Sequence, residues 1–108
     1  MSQTRYDAAV EHTLMAIEDA VDNCAWDIDF ERNGAVLTLT LEDNGSQVII
    51  SRQSASCELW VAAKSGGYHL AFAPAGWTCA STGENLPALL DRVLSDQQGE
   101  PVSLALSL

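Results

Sequence analysis

The residues best suited to chemistry in this sequence are carboxylates, which fall into two groups by their spacing. The first group recurs at steps of four, seven and four over residues 7–22, which places its members on one stripe of a helix, with Asp19 beside it. The second group alternates with apolar residues over 27–31, so its side chains point to one side of a strand. The eight acidic residues are Asp7, Glu11, Glu18, Asp19, Asp22, Asp27, Asp29 and Glu31.

Carboxylate oxygens are ligands for hard cations such as calcium, magnesium, manganese and iron. If the end of the helix lies beside the strand, as their short connection favours, the two groups merge into one acidic ridge. No EF-hand loop and no triad of histidines and a carboxylate accompanies them. We therefore expect cation binding to be weak, spread over several places and poorly selective. Two other interpretations stay open, a solvated face that keeps the protein soluble and a surface that docks a basic partner protein.

The overall charge agrees with a cation-binding or docking role. Fifteen acidic residues face five Lys and Arg, for a net charge of −10, and the first fifty residues hold ten acids but only two bases. Two unit charges about 6 Å apart in water repel by roughly 0.7 kcal/mol, so such a concentration costs stability. Nucleic acid is excluded as the expected partner, because phosphate binding requires a basic surface.

Other chemical motifs are weak. Cys24, Cys57 and Cys79 form no closely spaced pair of the kind that holds zinc, and we expect reduced thiols that mainly pack. His12 and His69 are single histidines, more typical of surface or hydrogen-bonded side chains than of ligands. There is no nucleophile motif and no glycine-rich phosphate loop. We therefore predict that the protein is not an enzyme; the enzymatic alternative, a ferroxidase, needs two adjacent metal ions that no motif specifies.

Trp60 is the second candidate for a functional role. It lies between Leu59 and Val61 in a predicted strand, so if those two face the core, Trp60 faces solvent. A tryptophan on a flat exposed sheet is typical of a binding hot spot, whereas core packing is the alternative. Arg52 and Gln53, one strand earlier, are expected to join Trp60 in that patch.

The elements that position these residues follow from changes in apolar period. Apolar residues at helical spacing predict a helix over about 4–22 and a second that begins after the N-cap Asn85 and ends near Gly99. Between them, alternating segments predict six strands, at about 27–31, 35–41, 47–53, 58–63, 68–72 and 77–79. Asn33-Gly34 and Pro74-Ala75-Gly76 are predicted turns. Residues 102–108 are expected to lie extended on the domain.

Two amphipathic helices flanking hairpin-linked strands predict an α+β fold. We expect a two-layer sandwich with both helices on one face of an antiparallel sheet of about six strands, as a single domain over residues 1–108. No apolar run approaches the roughly 20 residues that cross a bilayer, and the N-terminal residues do not resemble a signal peptide. The expected location is the cytoplasm.

In order along the chain, these segments resemble the frataxin family, and most closely its bacterial branch, the CyaY family. The similarity extends from about Tyr6 to Leu104. It is carried by IEDAVD at 17–22, DIDFE at 27–31, NGAVLTL at 33–39, VIISRQ at 48–53, ELWVA at 58–62, SGGYH at 65–69, Trp77, and QGEPVSL at 98–104.

The resemblance implies a frataxin-like sandwich and a role in iron–sulfur cluster assembly. It implies binding of iron, Fe2+ or Fe3+, by the acidic residues, which we expect to be weak because they form no closed site, with other divalent cations able to substitute. The high negative charge favours a monomer in the absence of iron. It further implies that the protein regulates the complex of cysteine desulfurase and scaffold protein. The family's acidic positions correspond to Glu18, Asp19, Asp22, Asp27, Asp29 and Glu31, and its partner-binding sheet surface to Trp60, Arg52 and Gln53, with Glu18, Asp19 and Asp22 also facing the partner.

Overall fold

The computed structural model of the protein describes residues 2–74 and 76–108. Two helices and six strands follow one another as α1 (Gln3–Asn23), β1 (Ile28–Asn33), β2 (Val36–Leu41), β3 (Gln47–Gln53), β4 (Glu58–Ala63), β5 (Gly66–Ala73), β6 (Gly76–Cys79) and α2 (Leu86–Gln98). The strands form one antiparallel sheet in chain order, with β1 and β6 at its edges. The predicted α+β sandwich is confirmed. Ala75, in the turn predicted at 74–76, lies outside the described residues.

Both helices begin and end where the sequence supplies caps. The Ser2 hydroxyl accepts a hydrogen bond from the backbone N–H of Arg5, and Asn85 does the same for Ala88, which satisfies donors that a helix leaves unpaired at its start. Gly99 ends α2 with a φ of 83°, a left-handed conformation that glycine adopts without strain.

One face of the sheet is buried by both helices. In β2, Leu37, Leu39 and Leu41 are fully buried, and the ladder places Ile50 opposite Leu37. The same face continues through the other strands and joins the apolar stripes of α1 and α2 in a single core cluster. Because side chains alternate along a strand, the intervening residues form the outer face of the sheet.

The segment after α2 packs against the domain, as predicted. Val102 and Leu104 are buried. The backbone N–H of Val102 donates to the Ser95 hydroxyl and that of Leu104 donates to Asp91, at 2.8 and 3.0 Å. These contacts fix the extended C-terminal segment to α2.

The first hairpin turns one residue later than its sequence predicts. It pairs Asn33 with Val36, so its central residues are Gly34 and Ala35 rather than Asn33 and Gly34. Gly34 has a φ of 64°, the positive value that a type II′ turn requires at that position.

All three cysteines are free, and Cys79 is buried. Among residues 2–74 and 76–108, no helix combines the length and apolar character that a membrane span requires.

Candidate functional site

The acidic stripe of α1 is partly neutralised by a base from the sheet. Arg32, on the helix-facing side of the edge strand β1, forms ion pairs with both Glu11 and Glu18. Its position follows from strand alternation, because Arg32 shares its side of β1 with Ile28 and Phe30. The sequence showed few bases near the stripe, and the structure brings one of them directly onto it.

A second base reaches the beginning of the same stripe. Arg52 in β3 forms an ion pair with Asp7, and its guanidinium carbon lies 5.4 Å from the centre of the Tyr6 ring. The expected position of Arg52 beside Trp60 is therefore wrong. The ladder places Arg52 opposite Leu59, which is fully buried, so both side chains point toward the helices.

The acidic residues of the strand lie on the other face of the sheet. Asp29 pairs with Thr40 and Glu31 with Thr38 across the β1–β2 ladder, whereas Phe30 between them pairs with the buried Leu39. The two acidic rows therefore flank the edge strand from opposite faces of the sheet. The expected single ridge is replaced by carboxylates on both sides of the β1 edge.

Five of the eight predicted ligand residues are exposed and have no ion pair among the described residues. We call them the edge carboxylates: Asp19, Asp22, Asp27, Asp29 and Glu31. The other three, Asp7, Glu11 and Glu18, are the ones that Arg52 and Arg32 neutralise.

The edge carboxylates fit a hard cation in chemistry but do not form a closed site. Within the described part of the chain, no three His, Cys, Asp or Glu side chains are grouped closely enough to hold a metal ion. Calcium and iron sites of high affinity surround the ion with several fixed ligands. The arrangement therefore suits an exchangeable cation held by one or two carboxylates and water.

Trp60 lies on the outer face of the sheet, as its spacing predicts. Its neighbours Leu59 and Val61 are buried, while the Trp60 ring is only half-buried and lies against His69 of β5. The indole N–H of Trp60 donates to Glu58 Oε1 at 3.1 Å. The ring is thus held in one orientation on a flat surface.

The carboxylate that orients Trp60 is held ionised. Glu58 Oε1 also accepts from the Ser56 hydroxyl at 2.8 Å and lies 4.0 Å from His69 Nδ1. The hydrogen bond from Trp60, with that from Ser56 and the nearby His69, lowers the pKa of Glu58 below its usual value. Because the ionised form accepts these bonds, Glu58 fixes the Trp60 side chain at neutral pH.

Gln53 joins this outer patch, and His69 is the member that sequence reasoning missed. Gln53 is paired with Glu58 in the ladder and Trp60 with His69, so all four side chains belong to the same face. The signal for His69 was the short β4–β5 hairpin, whose register places it opposite Trp60. His12, the other single histidine, is exposed on α1.

Comparison with known proteins extends over nearly the whole chain. Residues 1–100 match a frataxin-like domain. The chain is 44% identical over 102 residues to a protein of Stutzerimonas stutzeri, with 93% of this chain and 92% of the relative covered. It is 43% identical over 105 residues to one of Paraburkholderia phymatum, with 97% and 99% covered. Both relatives are named iron-sulfur cluster assembly protein CyaY.

A solved structure has the same fold. The frataxin of Psychromonas ingrahamii superposes with a TM-score of 0.86 at 25% identity, covering 96% of this chain and 98% of that one. The chain belongs to the frataxin-like family.

Proposed function

We propose that this protein is an accessory protein of iron–sulfur cluster assembly that binds iron weakly and docks on the complex of cysteine desulfurase and scaffold protein. The observation that carries the proposal is the set of five exposed edge carboxylates, which lie near the end of α1 and in or next to β1 and form no ion pair among the described residues. It occurs in a chain 43–44% identical to relatives named iron-sulfur cluster assembly proteins.

The edge carboxylates supply the proposed iron-binding role. Like charges on neighbouring exposed side chains repel one another, and a bound cation relieves that repulsion. Their oxygens are hard donors suited to Fe2+ or Fe3+, and other divalent cations can take their place. Exposure to water keeps the interaction weak and exchangeable, as delivery or sensing of iron requires.

Docking combines the same charges with the outer face of the sheet. A negative edge attracts a basic partner surface and raises the rate of encounter, an effect that salt screens over about 8 Å at physiological ionic strength. Trp60 supplies a rigid aromatic anchor, and tryptophan is enriched among residues that dominate binding energy. Regulation would follow from occupying the desulfurase and scaffold, and the proposal assigns no catalytic residue.

The first experiment is an anaerobic titration with ferrous iron, followed by backbone amide NMR. We expect signals of residues 19–31 to shift or broaden first, with a sodium salt of the same ionic strength as the control for non-specific charge effects. The variant Asp19→Asn/Asp22→Asn should reduce the response. The variant Asp43→Asn/Asp96→Asn removes two other exposed carboxylates and should leave the response unchanged.

Binding to the desulfurase–scaffold complex is then measured with the same two variants. Loss of Asp19 and Asp22 should weaken binding about three- to tenfold and reduce its dependence on salt. Equal behaviour of both variants would show that net charge alone matters. If ferrous iron moves no signal and the Asp19/Asp22 variant binds the complex normally, the proposed function is wrong.

A further inference from the structure

Arg32 is held in a fixed position by three contacts. Its Nη2 pairs with Glu11, its Nη1 lies 3.3 Å from Glu18 Oε1, and its Nε donates to the backbone carbonyl of Gly34 at 3.1 Å. The side chains of Arg32 and Glu18 are only 23% and 19% exposed. The guanidinium therefore belongs to a packed arrangement between the first hairpin and α1.

The guanidinium of Arg32 lies at the point where the two glutamate side chains converge. Glu11 and Glu18 are seven residues apart, about 10.5 Å along a helix, yet an oxygen of each contacts the same guanidinium. Arg32 therefore occupies the place between the two carboxylates that a metal cation would otherwise take. A planar guanidinium presents separate N–H groups to two carboxylates at once. A third N–H group of Arg32, at Nε, donates to the backbone carbonyl of Gly34 in the turn.

A cation could bridge the two carboxylates only by displacing Arg32. Displacement would break both ion pairs and the hydrogen bond to the Gly34 carbonyl, so Arg32 competes with any cation for this place. The edge carboxylates carry no such internal cation among the described residues.

We propose that Arg32 is an internal counter-ion that excludes metal cations from Glu11 and Glu18 and thereby directs them to the edge carboxylates. The inference rests on the proposed binding of cations by this surface. Arg32 acts here as a specificity-determining residue, because its presence decides which of the acidic residues of α1 compete for the metal.

The test counts bound Mn2+ by electron paramagnetic resonance of the free ion. Arg32→Met should bind one more Mn2+ than the parent protein or bind it several-fold more tightly. Adding Glu11→Gln and Glu18→Gln to that variant should abolish the gain, whereas the same two substitutions with Arg32 present should change little. Amide spectra of each variant verify folding, and Arg32→Gln provides a second neutral variant that retains a side-chain amide.

Lys64→Met is the matched control, since it removes one positive charge from the exposed β4–β5 turn, where Lys64 forms no ion pair with any described residue. An equal gain in Arg32→Met and Lys64→Met would overturn the inference, because only net charge would then matter. If Mn2+ binding is unchanged in Arg32→Met but is still lost in Asp19→Asn/Asp22→Asn, the inference is overturned and the proposed function stands. Absence of Mn2+ binding in every variant would overturn the inference together with the proposed binding of cations, whereas docking is tested separately by the binding measurements above.

Discussion

His69 lies flat on Trp60 across the β4–β5 ladder, with ring centroids 4.2 Å apart and ring planes inclined by 7°. The contact covers one side of the indole, and the Trp60 side chain stays only half-buried. It belongs to the outer sheet face, which the helices do not cover. Trp60 is therefore held in one orientation on this face, with Glu58 accepting a hydrogen bond from its N–H.

Replacing Trp60 by alanine should weaken binding to the desulfurase–scaffold complex by about 2 kcal/mol or more, roughly thirtyfold. The physical reason is loss of a pre-oriented aromatic anchor. Calorimetry or surface-based binding measurements would provide the affinity. Leu108→Ala, which shortens an exposed apolar side chain beside α1 and α2, is the control and should bind as the parent does. A Trp60→Ala variant that remains folded and binds normally would exclude this face as the docking surface.

Replacing Thr13 by valine should destabilise the protein by about 1–3 kcal/mol. Thr13 is only 2% exposed, and its hydroxyl accepts from the buried indole N–H of Trp77 at 2.8 Å while donating to the Ala9 carbonyl. Valine has a similar shape but leaves the Trp77 donor without an acceptor. Denaturant unfolding measures the loss.

The control for Thr13 is Thr38→Val, which changes the same side chain on the outer face of the sheet. Its effect on the free energy of unfolding should stay within about 0.5 kcal/mol. Equal losses in both variants would show that the hydrogen bond to Trp77 contributes nothing specific.

Replacing Tyr6 by phenylalanine should cost about 1–3 kcal/mol. The buried Tyr6 hydroxyl donates to the Glu58 carbonyl at 2.6 Å and accepts from the Gln53 N–H at 3.0 Å. It thereby ties α1 to the ends of β3 and β4. Phenylalanine leaves both backbone groups without this partner, and thermal or denaturant unfolding would show the difference.

Tyr68→Phe removes the same hydroxyl from a half-buried position, where it contacts the exposed Ser65. Water can replace that contact, so the expected loss is below about 1 kcal/mol. A larger effect at Tyr68 than at Tyr6 would contradict the role assigned to the buried hydroxyl.

Stability should fall as the pH is lowered below about 4.5, the ordinary pKa of a glutamate in an unfolded chain. Glu84 receives two hydrogen bonds of 2.9 Å from Arg92, which lower the pKa of Glu84 in the folded protein. A lowered folded-state pKa stabilises the protein above the unfolded pKa, and the stabilisation is lost as the pH falls through the folded value. Unfolding at a series of pH values measures this slope.

Glu84→Gln removes the titrating group and should flatten the dependence on pH between about 5 and 3. Arg92→Gln removes the main cause of the lowered Glu84 pKa and should flatten the pH dependence similarly, since the hydrogen bonds from Arg92 make the largest contribution. If the slope persists in Glu84→Gln, other carboxylates account for the acid sensitivity.

The sequence by itself determined the secondary structure and the family. Apolar spacing, with the N-cap Asn85 for the second helix, predicted the helices, and strict alternation predicted the strands, because burial of one face requires these periods. β3 and β4 begin and end at the predicted residues. The outward direction of Trp60 also followed from its buried neighbours.

The alternation of side chains along the strands also indicated toward which face of the sheet Arg32 and Arg52 point. Arg32 shares its side of β1 with Phe30, and Arg52 shares its side of β3 with Ile50, so both point toward the helices. Because Arg52 lies two residues after the buried Ile50, the alternation of side chains in β3 predicts that Arg52 points to the helix-facing side of the sheet, away from Trp60. The sequence pattern thus gives the face of each side chain but not its partner on another element.

Only the tertiary structure decided which charges meet. Ion pairs between Arg32 and the glutamates of α1 join residues 14 and 21 positions apart, and they depend on how α1 crosses the sheet. Local sequence patterns do not encode that crossing, because helix packing is set by the fit of side chains over the whole core. The fold therefore divides the acidic residues into a neutralised part on α1 and a set of edge carboxylates that is open to a cation or partner.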